Sequence, residues 1–162
     1  MKTRWLSVMG IGLAATLLLG CGAVSTLTSI AGSSSYFLGG VVCYSNELKT
    51  AWADVPAELI QSKGAVSSEV AVALAEGIRR RVGSTLGVGI TGIAGPGGGS
   101  EEKPVGTVHI ALSHAGGVKE RGVRFPGDRE AIRWHASQLA LDMVRMYFLY
   151  NGGDRPRGAK RS

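Results

Sequence analysis

Three groups of residues in this chain have types and spacings that could do chemistry. Tyr44 and Lys49 lie on either side of an expected strand-to-helix turn, so both side chains can face one cleft. A lysine ammonium beside a phenol favours the phenolate and makes it a better base. The plainer reading of the same two residues is a boundary tyrosine and a solvated lysine. Arg129 follows Gly127-Asp128 in the first turn of an expected helix, where free amides and the helix dipole favour an anion and a guanidinium can grip phosphate with two nitrogens. Taken alone it is equally an ordinary surface arginine, and Asp128 is expected to cap the helix. Thr91 and Gly92 end an apolar run and open a loop, the place where open α/β sheets bind ligands. They are candidate donors to a substrate or an oxyanion. Ser100 and Lys103, further along that loop, can close over a ligand or stand solvated.

The elements that must position these residues are legible from periodicity. The loop, residues 91–106, carries six glycines and two prolines. It matches neither the P-loop nor the Gly-x-Gly-x-x-Gly spacing, and a mobile surface loop and an anion-binding loop both fit its composition. Apolar runs at 86–90 and 105–112 flank it as strands, and 118–125 forms a hairpin with the second around Ala115-Gly116-Gly117. Residues 36–44 read as a strand in which Gly39-Gly40 suggest a bulge or close packing. Helices are expected at 45–53, in a short turn from Pro56, from an N-cap at Ser67 through Arg79-Arg80-Arg81, and at about 128–150. The last carries Ile132, Ala136, Leu139, Met143, Val144 and Tyr147 on one face. This alternation predicts an α/β layered sandwich, a mixed sheet covered by helices.

Composition narrows the function classes. The chain has 162 residues and 44% hydrophobic content, enough for one core without metals or disulfides. Cys21 and Cys43 have no metal-ligand spacing, Cys43 reads as a small buried hydrophobe, and His109, His114 and His135 form no ligand pattern, so neither a metal nor a cofactor is expected. The net charge of +6 owes much to the tail from Asp154 to Ser162, where four basic residues face one acid. With aromatics few and not interleaved with basic residues, nucleic acid is not expected as a partner, whereas modest positive charge suits a phosphate-bearing one.

Five motifs stand in order: Ser29-Ile30-Ala31-Gly32-Ser33-Ser34-Ser35-Tyr36-Phe37, Tyr44-Ser45-Asn46-Glu47-Leu48-Lys49, Gly64-Ala65-Val66-Ser67, the glycine-rich loop, and Phe125-Pro126-Gly127-Asp128-Arg129. Together they resemble the CinA C-terminal family, the nicotinamide-nucleotide amidohydrolases. The resemblance implies deamidation of nicotinamide mononucleotide to nicotinic acid mononucleotide and ammonia, with no cofactor, by a cytoplasmic, homo-oligomeric α/β domain. It covers residues 27–150, with 1–26 as a divergent apolar segment and 151–162 as a basic tail. It also implies catalytic roles for Tyr44 and Lys49, and substrate-binding roles for Thr91, Gly92 and Arg129.

The family's nucleophile is a serine in a Thr-Ala-Glu-Ser-Cys-Thr-Gly-Gly motif that ends a strand and opens a helix. That motif is missing. An ungapped alignment puts Leu17 at the serine, between Thr16 and Leu18; aligning the motif cysteine with Cys21 puts Gly20 there. Ser25 and Thr26 would fall inside the first helix. Lys2, Arg4, an apolar run and Leu18-Leu19-Gly20-Cys21 also look like a lipoprotein signal, which would anchor the protein to a membrane through Cys21. The competing readings are a buried strand and helix at the start of the domain, and a start site or frame that has replaced the family's N-terminus. Cytoplasmic retention is expected, because the implied substrate is a cytoplasmic nucleotide. A nucleotide-binding or assembly protein that has lost hydrolysis is the alternative to an active amidohydrolase.

Overall fold

The computed structural model describes residues 12–17 and 21–151, so the basic tail lies outside the described residues. Five strands form one sheet in the order β2 (Phe37–Val41), β1 (Leu13–Leu17), β3 (Leu86–Gly92), β4 (Thr107–His114) and β5 (Gly117–Arg124). β1 runs parallel to both its neighbours, β4 is antiparallel to β3, and β5 to β4. Helices α1 (Cys21–Thr28) and α5 (Arg129–Asn151) pack on one face, and α4 (Ser68–Val82) on the other, with α2 (Asn46–Ala53) and α3 (Ala57–Lys63) packed against α4. The mixed, helix-covered sheet is the one the alternating patterns predict. Among the described residues no helix is long and apolar enough to cross a membrane.

β3 is buried along its whole length and its two faces are built differently. Leu86, Val88 and Ile90 enter a cluster with Ala23, Ile132, Ala136, Ala140 and Val144. Gly87 and Gly89, at the alternate positions, meet the carbonyls of Ala75 and Ala71 on α4. A Cβ at either glycine would strike helix backbone, so α4 lies closer to the sheet than any side chain would allow. Ala71, Ala75 and Ala111 complete that face. The strand end that carries Thr91 and Gly92 is therefore clamped from both sides.

Capping fixes where the helices begin. Ser67 Oγ accepts from the Val70 amide at 3.3 Å, and Glu69 in the same first turn is held at about 2 by its own backbone amide, then by Lys63 and Ser68. The Asp128 carboxylate accepts from the Ala131 amide at 2.9 Å, which starts α5 at Arg129. Ser45 caps α2 in the same way, through the Leu48 amide.

Several boundaries differ from the sequence reading, and three of them are instructive. β4 starts at Thr107 rather than 105, because Thr107 N and Oγ1 both bond to Pro104 O and Gly106 takes a φ of 94°, making a turn before the strand. β2 stops at Val41, and its pairing jumps from Leu13↔Phe37 to Ala14↔Gly39, which leaves Leu38 as the extra residue of a bulge beside Gly39. The fold also reaches ahead of residue 27. Residues 13–17 form β1, hydrogen-bonded between β2 and β3, where Ala14 lies opposite Gly39 on one side and Gly87 on the other.

Candidate functional site

Arg129, Tyr44 and the glycine-rich loop meet at one end of the sheet. Arg129 Nη1 donates to the Gly95 carbonyl at 3.0 Å, and its Nη2 lies 3.5 Å from the Tyr44 hydroxyl, linking residues 85 positions apart. Tyr44 is 67% exposed, so its phenol lies at the surface of this cluster. The start of α5 sets Arg129, and the chain leaving β2 sets Tyr44.

Lys49 is 2% exposed and sits in the N-terminal part of α2, where both burial and the helix dipole disfavour a cation. Its Nζ donates to the Tyr44 carbonyl at 3.4 Å, the Ser45 carbonyl at 3.4 Å and Asn46 Oδ1 at 3.2 Å. Burial pulls its pKa down, against smaller opposing effects of Cys43 and Glu47. The ammonium thus holds the backbone of Tyr44, while the cation against the Tyr44 phenol is Arg129. The cause is direction: Lys49 folds back over the start of its own helix and Tyr44 points outward. None of the ion pairs among the described residues engages Lys49 or Arg129.

Thr91 and Gly92, expected to open the loop after a strand at 86–90, are instead the last two residues of β3, paired with His109 and Val108, and both are buried. The Thr91 hydroxyl donates to the Ala65 carbonyl at 2.7 Å, so it ties the root of the loop to the α3–α4 connection and does not face open space. Beyond Gly92 the loop closes on itself. Ile93 N bonds to Thr107 O and Gly106 N to Ile93 O, both at 2.8 Å, while Ser100 and Lys103 form a turn at the tip. Gly95 and Gly99 pack on Val105, and the Gly95-Pro96 peptide is cis. Lys103 Nζ reaches the Lys63 carbonyl at 2.8 Å. The carbonyls of Gly95, Ala65 and Lys63 carry no sequence signal; only the closure of the loop reveals them.

Cys43 is buried in the α2–α4 cluster, and burial pushes its thiol pKa up, so it serves there as an apolar group. Among the described residues no cluster of His, Cys, Asp and Glu is placed to hold a metal ion. A groove of about 530 Å³ between Pro56, Leu59, Val72, Ala73 and neighbouring charges is lined by none of the site residues.

The stretch that the family resemblance assigns to the nucleophile is the passage from β1, which ends at Leu17, to α1, which begins at Cys21. The intervening residues are Leu18, Leu19 and Gly20, which lie outside the described residues and supply no hydroxyl. Ser25 and Thr26 fall within α1, and Thr26 Oγ1 donates to the Gly22 carbonyl at 2.9 Å.

This arrangement has clear relatives. A family model, the CinA C-terminal domain, matches residues 17–148. The chain is 62% identical over 119 residues to a CinA-like protein of Koribacter versatilis, an overlap of 74% of this chain and 29% of that protein. It is 55% identical over 118 residues to a putative competence-damage inducible protein of Moorella thermoacetica, covering 73% and 28%. The chain thus spans under a third of the length of these curated relatives. Among solved structures, competence/damage inducible protein CihA from Agrobacterium tumefaciens superposes with a TM-score of 0.81 at 38% identity, over 85% of this chain and 86% of that one. A competence damage-inducible protein A (ComA) from Klebsiella pneumoniae gives 0.82 at 28% identity, over 88% and 89%. With a family model matching most of the chain and solved structures of that kind sharing its fold, the chain belongs to the CinA C-terminal domain family.

Proposed function

We propose that the site binds nicotinamide mononucleotide, and that the deamidation associated with this family is severely slowed in this chain because its strand-to-helix junction offers no serine. The observation that carries the reading is a pair of cations, Arg129 and buried Lys49, gathered with Tyr44 and without a carboxylate in ion-pair contact. A buried lysine unmatched by an acid costs stability. A ligand anion and proton-handling chemistry both account for keeping it.

In this reading the phosphate meets the Arg129 guanidinium beside the first turn of α5. Amide hydrolysis adds water across the C–N bond, leaving a carboxylate and ammonia. It needs a nucleophile, a proton acceptor and donors for the developing oxyanion. Lys49, its pKa lowered by burial, and Tyr44 are the proton-handling groups. Thr91 acts by fixing the root of the loop, and Gly92 brings backbone close to the ligand. The nucleophile is the missing part.

The test measures nicotinamide mononucleotide binding by calorimetry and ammonia release on one sample. Binding with little or no ammonia is the expected result. Rapid release would show that another group supplies the nucleophile, and no binding would remove the nucleotide reading altogether.

A further inference from the structure

The glycine-rich loop is pinned at its tip as well as at its root. Lys103 Nζ donates to the Lys63 carbonyl at 2.8 Å, across 40 positions of sequence. Lys63 closes α3, so its carbonyl is one of those a helix leaves without an internal partner, and a cation is favoured there. The receiving segment is itself held. Lys63 Nζ pairs with Glu69 at 3.0 Å, Ser67 Oγ donates to the Gly64 carbonyl at 3.1 Å, and Ala65 accepts from Thr91. Gly64 has a φ of 78°, and a Cβ there would lie 3.2 Å from Lys103 Nζ, so the ammonium fills the space a side chain would take.

Between root and tip the loop carries Gly95, whose carbonyl receives Arg129. Gly95 and Gly99 both pack on Val105, so the tip and the Arg129 contact share one small packed unit. We propose that Lys103 is a positioning residue: it latches this unit to the end of α3 and thereby holds the Arg129 guanidinium in the orientation that receives the ligand's phosphate. This rests on the nucleotide reading for the ligand, but the latch itself exists without one.

The experiment therefore has a ligand-free arm and a ligand arm, both on the full chain. In ligand-free protein, Lys103→Ala is expected to speed hydrogen exchange of the Ser100 amide and of the Arg129 guanidinium, while the Ile93 and Gly106 amides at the root keep their protection. With nicotinamide mononucleotide, Lys103→Ala should weaken binding about tenfold, and Lys103→Arg should restore most of it. Because Lys103 acts through Arg129, the double variant Lys103→Ala/Arg129→Ala should bind no more weakly than Arg129→Ala alone. Unchanged exchange at Ser100 and Arg129 would overturn the latch. Additive losses would overturn its action through Arg129. If the parent protein fails to bind the nucleotide, the functional reading falls while the ligand-free arm still decides the latch.

Discussion

Two regions that the proposed function calls on are built by different means. One, the distributed wall, joins Arg129, Tyr44, Lys49 and the loop, residues distant in sequence that the sheet and its helices bring together. The other, the local wall of the proposal, is the stretch between Leu17 and Cys21, where the resemblance places the family's serine and this chain has leucines and a glycine. The first depends on the whole fold, the second on a few consecutive residues. On the proposed function, recognition and bond cleavage rest on separable parts of one domain.

The largest expected effect comes from repairing the local wall. Replacing residues 14–21 with Thr-Ala-Glu-Ser-Cys-Thr-Gly-Gly puts the serine at position 17. Ammonia release from nicotinamide mononucleotide should rise by about three orders of magnitude or more, the scale on which a covalent nucleophile matters. A control in which that serine is alanine should fall back to the level of the parent. Equal rates for parent and repaired chain would end the distinction between the walls.

Breaking the distributed wall should act on binding. Arg129→Ala is expected to cost about 1.5–3 kcal/mol of nucleotide affinity by calorimetry, with a melting temperature close to that of the parent because the side chain lies outside the core. Equal affinities would remove Arg129 from the site.

Lys49 gives the smallest and most diagnostic effect. Its folded-state pKa lies below the usual 10.5, so between the two values the unfolded chain binds the extra proton and stability rises with pH across that window. The penalty is fully present below the folded-state pKa and disappears above 10.5. Lys49→Met should therefore stabilise the protein by about 1 kcal/mol at pH 7, with the advantage shrinking as the solution becomes alkaline. Thermal melts at several pH values measure this. In the repaired chain the same substitution should lower ammonia release. A variant destabilised at neutral pH would make Lys49 a structural residue.

The same contrast governs what could be read from sequence. Local signals served well: Ser67 and Asp128 as caps, the hairpin after β4 and the apolar stripe of α5 follow from spacing and turn chemistry. The Arg129–Tyr44, Thr91–Ala65 and Lys103–Lys63 contacts have no local signature, since they exist only once the sheet order is fixed. β1 gives the weakest local signal of the five strands. Its Leu13-Ala14-Ala15 run lacks the β-branched residues that announce a strand, and it lies between neighbours with glycines at the facing positions, where small size matters more than propensity.

The position of β1 has a consequence in time. It is translated before its two partners, yet it must lie between them. At about 5–20 residues per second, roughly 3–14 s pass between the synthesis of Leu17 and that of Leu86. Throughout that interval β1 has no β3 to pair with, and its apolar residues stay uncovered. Slower translation between α2 and β3 would prolong that exposure without altering a single contact in the finished molecule.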